Sequence, residues 1–192
     1  MIIFIIPKNS GLEKARELVK KFEYKEILEV RGEDVPLFVS DLLKQGKNVI
    51  GITGEDLYRE FLLKNKDNNI VVLETIDWQD SKCLFGKPTL CLLGPKSKQI
   101  ENMPKKLRIC INRKYQRFTN KYCINKLVSQ GYEVEKIYVS GASEEMFSRE
   151  LVDLVVDIVY SGKSAEDAGM EVFEKLFCSD IVIIGGKNEI SK

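Results

Sequence analysis

The residue types best suited to chemistry gather in one stretch, Asp153-Leu154-Val155-Val156-Asp157-Ile158-Val159-Tyr160-Ser161-Gly162-Lys163-Ser164. An apolar run carries two acids and empties into a short loop of hydroxyls and glycine. Ser164-Ala165-Glu166-Asp167 then has the form of a helix N-cap with an acid at the third helical position. Backbone N–H groups left free at such a turn suit a phosphate. Ser161 and Ser164 add hydroxyl donors, and Gly162 lets the backbone approach a ligand closely.

Three readings of this stretch stand side by side. In the plainest, a strand runs into a capped helix and no ligand is involved. In the second, Gly162-Lys163-Ser164 is the tail of a P-loop. That motif needs a glycine five positions before Gly162, where the chain has Asp157, and the reading fails. In the third, the loop grips the 5-phosphate of phosphoribosyl diphosphate and the acids lie beside the ribose.

Composition removes whole classes of chemistry. The 192 residues include no histidine, so a Ser-His-Asp triad, a His-Cys pair and any His-ligated metal are excluded. Thirty basic residues against 29 acidic ones leave a net charge of +1, which argues against a broad nucleic-acid or membrane surface. The five cysteines, Cys83, Cys91, Cys110, Cys123 and Cys178, form no CxxC pair and sit mostly in apolar runs, as reduced core thiols do. Residues 1–6 are too short for a signal h-region, and no apolar run approaches the roughly 20 residues of a membrane helix. The expectation is a soluble, cytoplasmic protein.

The elements that must position the loop alternate along the chain. Strands are expected over 2–6, 27–30, 49–53, 70–73, 89–93, 107–111, 134–139, 151–159 and 181–184. Leu12, Ala15, Leu18, Val19 and Phe22 have helical spacing, as do Val35, Phe38, Val39, Leu42 and Leu43, a helix that Gly46 ends. Gly54 opens a helix through Leu62, and further helices fall near 118–129, 143–150 and 164–177. Such alternation predicts an α/β fold with mainly parallel sheets. Trp78, the one tryptophan, either stacks on a purine or packs locally.

Four segments, in order along the chain, resemble ATP phosphoribosyltransferase. Residues 153–164 are similar to that family's D-A-I-V-D-L-V-x-T-G-x-T loop, and Ser140-Gly141-Ala142-Ser143-Glu144 to its S-G-S-V-E. Val30-Arg31-Gly32-Glu33-Asp34-Val35-Pro36 resembles V-R-x-x-D-V-P, and Gly51-Ile52-Thr53-Gly54-Glu55-Asp56 resembles G-I-V-G-x-D. The length is similar to the short-form catalytic subunit. Departures fall on the nucleotide side: Ile6-Pro7-Lys8-Asn9-Ser10-Gly11 stands for L-P-K-G-R-L, Gly86-Lys87-Pro88-Thr89 for G-K-C-R, and Glu55 for a lysine.

The resemblance implies transfer of phosphoribosyl to N1 of ATP with release of pyrophosphate, opening histidine biosynthesis. It implies Mg²⁺, with Asp153 and Asp157 as catalytic and metal residues. Ser161, Gly162, Lys163 and Ser164 would bind the 5-phosphate, Glu144 the ribose or metal, and Lys8 and Arg31 the pyrophosphate. Two mainly parallel α/β domains like type II periplasmic binding proteins are implied, 1–87 with 178–192 and 88–177. A homo-oligomer and a regulatory subunit resembling histidyl-tRNA synthetase are the partners implied, with no nucleic acid and no membrane. The altered nucleotide side leaves one alternative, a non-catalytic ligand-binding or assembly subunit on the same scaffold.

Overall fold

The computed structural model describes residues 2–8, 13–20 and 22–187. In chain order the first elements are β1 (Ile2–Pro7), α1 (Glu13–Val19), β2 (Tyr24–Val30), α2 (Val35–Lys44), β3 (Val49–Gly54), α3 (Glu55–Lys64) and β4 (Ile70–Ile76). There follow β5 (Thr89–Pro95), β6 (Lys106–Asn112), α4 (Gln116–Thr119), α5 (Asn125–Ser129), β7 (Glu133–Val139) and α6 (Ser143–Ser148). The chain continues through β8 (Leu154–Val159), α7 (Lys163–Asp167), β9 (Met170–Cys178) and β10 (Ile181–Gly186). Local chemistry sets several of these bounds. Pro36 sits in the first turn of α2, where its missing N–H costs nothing, and Gly46 follows that helix at φ +72°.

The elements divide into two units, Met1–Asp77 with Asp180–Lys192 and Trp78–Ser179. The first holds a sheet in the order β2-β1-β3-β10-β4, the second a sheet in the order β7-β6-β8-β5-β9. Both follow one plan. In the first, β1 is parallel to β2 and β3 while β10 is antiparallel to β3 and β4. In the second, β6 is parallel to β7 and β8 while β5 is antiparallel to β8 and β9. The sheets are therefore mixed rather than mainly parallel. Apolar periodicity reports burial, not direction, and the strand that follows each passage between units runs against its neighbours.

Each unit has its own core. Ile5, Val35, Val39, Val49, Val182 and Ile184 pack together in the first. Cys91, Leu93, Cys110, Val155, Val159 and Met170 do so in the second. The cysteines are free thiols, with Cys178 exposed and the other four buried. Burial pushes Cys91 and Cys123 up to about 12 and Cys110 to about 11, so they behave as apolar filler. No described helix is long and apolar enough to cross a membrane.

Three further expectations need correction. Residues 78–87 belong with the second unit, because Leu84 N–H donates to Tyr160 O at 2.8 Å at the end of β8. Cys178 and Ser179 stay there too, the Ser179 N–H bonding to Pro88 O at 2.8 Å. Strand β8 begins at Leu154, leaving Asp153 just before it. Finally, 164–177 is not one helix. Helix α7 is five residues long, Gly169 turns the chain at φ +77°, and β9 runs for nine residues.

Candidate functional site

Strand β8 delivers the loop, and its two acids meet different fates. Asp153, ahead of the strand, is tied to β6. Arg108 donates to it from its backbone N–H at 2.7 Å, from Nε at 3.2 Å and from Nη2 at 2.9 Å. Partial burial raises this carboxyl's pKa, but the Arg108 hydrogen bonds and charge outweigh it and hold the group below the usual aspartate range.

Asp157 lies near the other end of β8 and is the hub of the loop cluster. It accepts from Ser143 Oγ at 2.7 Å, from the Ile158 N–H at 2.8 Å, and at 3.2 Å to each oxygen from Asn112 Nδ2. Burial is the strongest influence on its carboxyl and raises its pKa despite these bonds. Ser143 opens α6 and Asn112 closes β6, so one carboxylate fastens the ends of three elements. The Glu144 carboxylate lies 3.3 Å from the same Ser143 hydroxyl.

These groups surround a cavity of about 110 Å³ whose wall includes Ser143, Glu144, Asp157, Ser161, Gly162 and Ser164. Gly162 takes φ +79°, a left-handed conformation that side chains resist, and Ser161 Oγ accepts from Lys163 N–H at 3.3 Å. Ser161, Lys163 and Ser164 are exposed. A polar, glycine-bearing cavity whose wall also carries acids suits a phosphorylated sugar.

The structure thus brings together Glu144, Asp157, Ser161, Gly162 and Ser164, keeps Lys163 on the same loop, and leaves Asp153 at the other end of the strand. Lys8 and Arg31 belong to the first unit, where they stand together. They follow the paired ends of β1 and β2 (Pro7 opposite Val30), the Lys8 N–H bonds to Val30 O at 2.8 Å, and both side chains are exposed. Asn9, Ser10 and Gly11 lie outside the described residues. Glu55 is bound by Arg59 of the next helical turn, Nη2 to Oε1 at 2.7 Å. Trp78 is buried, which favours packing over purine stacking. Among the described residues no group of three acids or cysteines is placed to hold a metal ion. Asn112 and Ser143 hold Asp157 without a local motif to mark them. Asn112 lies 45 residues away in sequence, and only the S-G-A-S-E segment hinted at Ser143.

Comparison with known proteins completes the picture. The family model described as HisG, ATP phosphoribosyltransferase, matches residues 31–192. An ATP phosphoribosyltransferase of Caldicellulosiruptor saccharolyticus is 30% identical, across 92% of this chain and 85% of its own. Another, from Bacillus cereus, is 31% identical across 85% of this chain and 68% of its own. Among solved structures, the ATP phosphoribosyl transferase (HisG:HisZ) complex from Thermotoga maritima matches with a TM-score of 0.72 at 23% identity, covering 98% of this chain and 89% of that one. The periplasmic aliphatic sulphonate binding protein SsuA from Escherichia coli follows the same fold, with a TM-score of 0.63 at 15% identity, covering 98% of this chain and 61% of its own. At those identities the two structures bear on fold alone.

Proposed function

The chain belongs to the ATP phosphoribosyltransferase family, and from that premise we propose that the cavity beside β8 is where this protein holds phosphoribosyl diphosphate. The family's reaction joins N1 of ATP to the anomeric carbon of that substrate and releases pyrophosphate. A carbon–nitrogen bond forms as a carbon–oxygen bond breaks, positive charge builds on the ribose, and negative charge builds on the leaving group. Such chemistry needs positioning and fixed charge more than a strong base, which suits a chain without histidine.

The residues divide the work. Ser161, Gly162, Lys163 and Ser164 take the 5-phosphate through backbone N–H groups and hydroxyls. Glu144 faces the ribose, where its charge favours the cationic ring. Asp157 acts as a positioning residue, since its lone pairs are already engaged in holding Ser143 and Asn112. Asp153 is assigned a structural role with Arg108, outside catalysis and metal binding. Lys8 and Arg31 are assigned the pyrophosphate, supported by their place at the carboxyl ends of parallel strands, where α/β sheets commonly bind ligands.

Mg²⁺ keeps several waters and is usually held by one or two carboxylates with substrate phosphates, so it needs no cage from the chain. Glu144, beside the sugar site, fits that donor set and Asp153 does not. Held there by Glu144 and the substrate's phosphates, the ion would supply charge neutralisation for the leaving group. Family membership supports a regulatory subunit as partner in a hetero-oligomer, and the biosynthetic role supports a cytoplasmic location.

The observation that carries this reading is the convergence of Glu144, Asp157 and the 161–164 loop on one cavity. Calorimetry with phosphoribosyl diphosphate and Mg²⁺, followed by ATP and absorbance of the product, tests it. Binding and turnover are expected, with a HisZ-type subunit added where turnover of the chain alone is low. Absence of binding with and without that subunit would refute the site.

A further inference from the structure

The 161–164 loop is short and mostly exposed, and the bond within it, from Lys163 N–H to Ser161 Oγ at 3.3 Å, is long. What holds it lies before β5. The Tyr160 hydroxyl donates to the Asp80 carboxylate, while Leu84 N–H donates to Tyr160 O at 2.8 Å. The Leu84 side chain covers Gly162, where a Cβ would come within 2.9 Å of Leu84 Cδ2. Segment 78–87 is in turn folded on itself. The Asp80 N–H bonds to Gly86 O at 2.9 Å, Cys83 N–H to Asp80 O at 2.9 Å, and Lys82 N–H to Asp80 Oδ1 at 2.9 Å. Phe85 packs against the core of the unit, with the Lys175 ammonium 3.9 Å from its ring centre.

We propose that Asp80 and Tyr160 are a positioning pair for substrate binding, with segment 78–87 a brace that fixes the loop in its phosphate-accepting shape. The inference rests on the assignment of the 161–164 loop to the 5-phosphate. Asp80 is outside the cavity wall, and Tyr160 borders the cavity but spends its hydroxyl on Asp80. Tyr160 is the last residue before the loop, so a phenol anchored to a pre-ordered carboxylate sets the direction in which Ser161 and Gly162 leave the strand. Burial first, and the bond to Asp80 next, push the Tyr160 pKa upward, so the phenol remains a donor throughout the working range.

The test uses the full chain with ribose 5-phosphate, which carries the 5-phosphate without the leaving group, and inorganic pyrophosphate as the control. Tyr160→Phe and Asp80→Ala are each expected to weaken ribose 5-phosphate about fivefold, the effect of one lost hydrogen bond. Their combination should be no worse than either alone. Asp80→Asn, which still offers an acceptor, should stay within about twofold of the original protein. Pyrophosphate affinity should not move, and melting temperature should fall by only about 2–4 °C, the share of one hydrogen bond. Unchanged ribose 5-phosphate affinity in Tyr160→Phe and Asp80→Ala would overturn the proposal, as would a parallel fall in pyrophosphate affinity and melting temperature. If the unaltered protein binds no ribose 5-phosphate, the loop assignment itself fails and the pair's role goes with it.

Discussion

Asp153 and Asp157 are four residues apart, about 13 Å along an extended strand, and their surroundings give them opposite responses to pH. Asp153 has its pKa lowered in the folded state, so its stabilisation is fully present above the ordinary aspartate value of about 3.9 and is lost as pH falls through the lowered one. Asp157 has its pKa raised, so the folded protein loses stability as pH rises from the ordinary value through the raised one. Asp153→Asn should therefore be less stable at neutral pH and lose less on acidification from about pH 4 to pH 2 in urea melts, with phosphoribosyl diphosphate affinity unchanged. A marked loss of affinity would return Asp153 to the site. Asp157→Ala strands the hydroxyl of Ser143, which is 1% exposed, and one amide of Asn112. It should cost about 1–3 kcal/mol in denaturant unfolding and weaken substrate binding at least tenfold, because the start of α6 then loses its anchor. The sequence set both acids in one apolar run and placed the hydroxyl-glycine loop after them. It carried no sign of Arg108, Asn112 or Asp80, because partners brought in by sheet pairing leave no local periodicity.

Strand β9 shows how an element can be misread for a physical reason. Val172-Phe173 and Leu176-Phe177 repeat at a spacing of four, the signature of a helical face. In the sheet, Cys91 pairs with Lys175 after Leu90 pairs with Phe177, and Leu93 pairs with Val172 after Leu92 pairs with Glu174. Leu176 and Phe173 are thus the extra residues of two bulges, each of which resets the alternation and puts apolar neighbours in succession. Most other elements were legible because their periodicity is unbroken: Val35, Val39 and Leu42 in α2, or the fully buried run of β10. The bulge at Phe173 also explains Gly94. A Cβ there would lie 2.4 Å from two atoms of the Phe173 ring and 2.9 Å from Leu154. Gly94→Ala should lower stability by about 1–3 kcal/mol in urea unfolding, as overpacking does. Pairing it with Phe173→Leu should recover part of the loss, whereas no recovery would show that the ring is not the obstacle.

At the scale of the whole molecule, the order of strands makes the two units unequal under truncation. The first is discontinuous, with β10 between β3 and β4, and its Ile181, Val182 and Ile184 are at most 1% exposed. Ending the chain after Ser179 removes that strand, unpairs both neighbours and opens the first core. The second unit, 78–179, is continuous, holds all five strands of its sheet and carries its own buried cluster, a size at which single domains commonly fold alone. It also contains every residue assigned to the 5-phosphate and ribose, with the brace at 78–87, but neither Lys8 nor Arg31. A fragment of residues 78–179 should therefore fold cooperatively and bind ribose 5-phosphate within about threefold of the full chain, a difference of well under 1 kcal/mol. The form ending at Ser179 should show fast hydrogen exchange in residues 2–76 and native protection in 89–178. A folded fragment blind to ribose 5-phosphate would mean that the 161–164 loop does not bind the phosphate by itself.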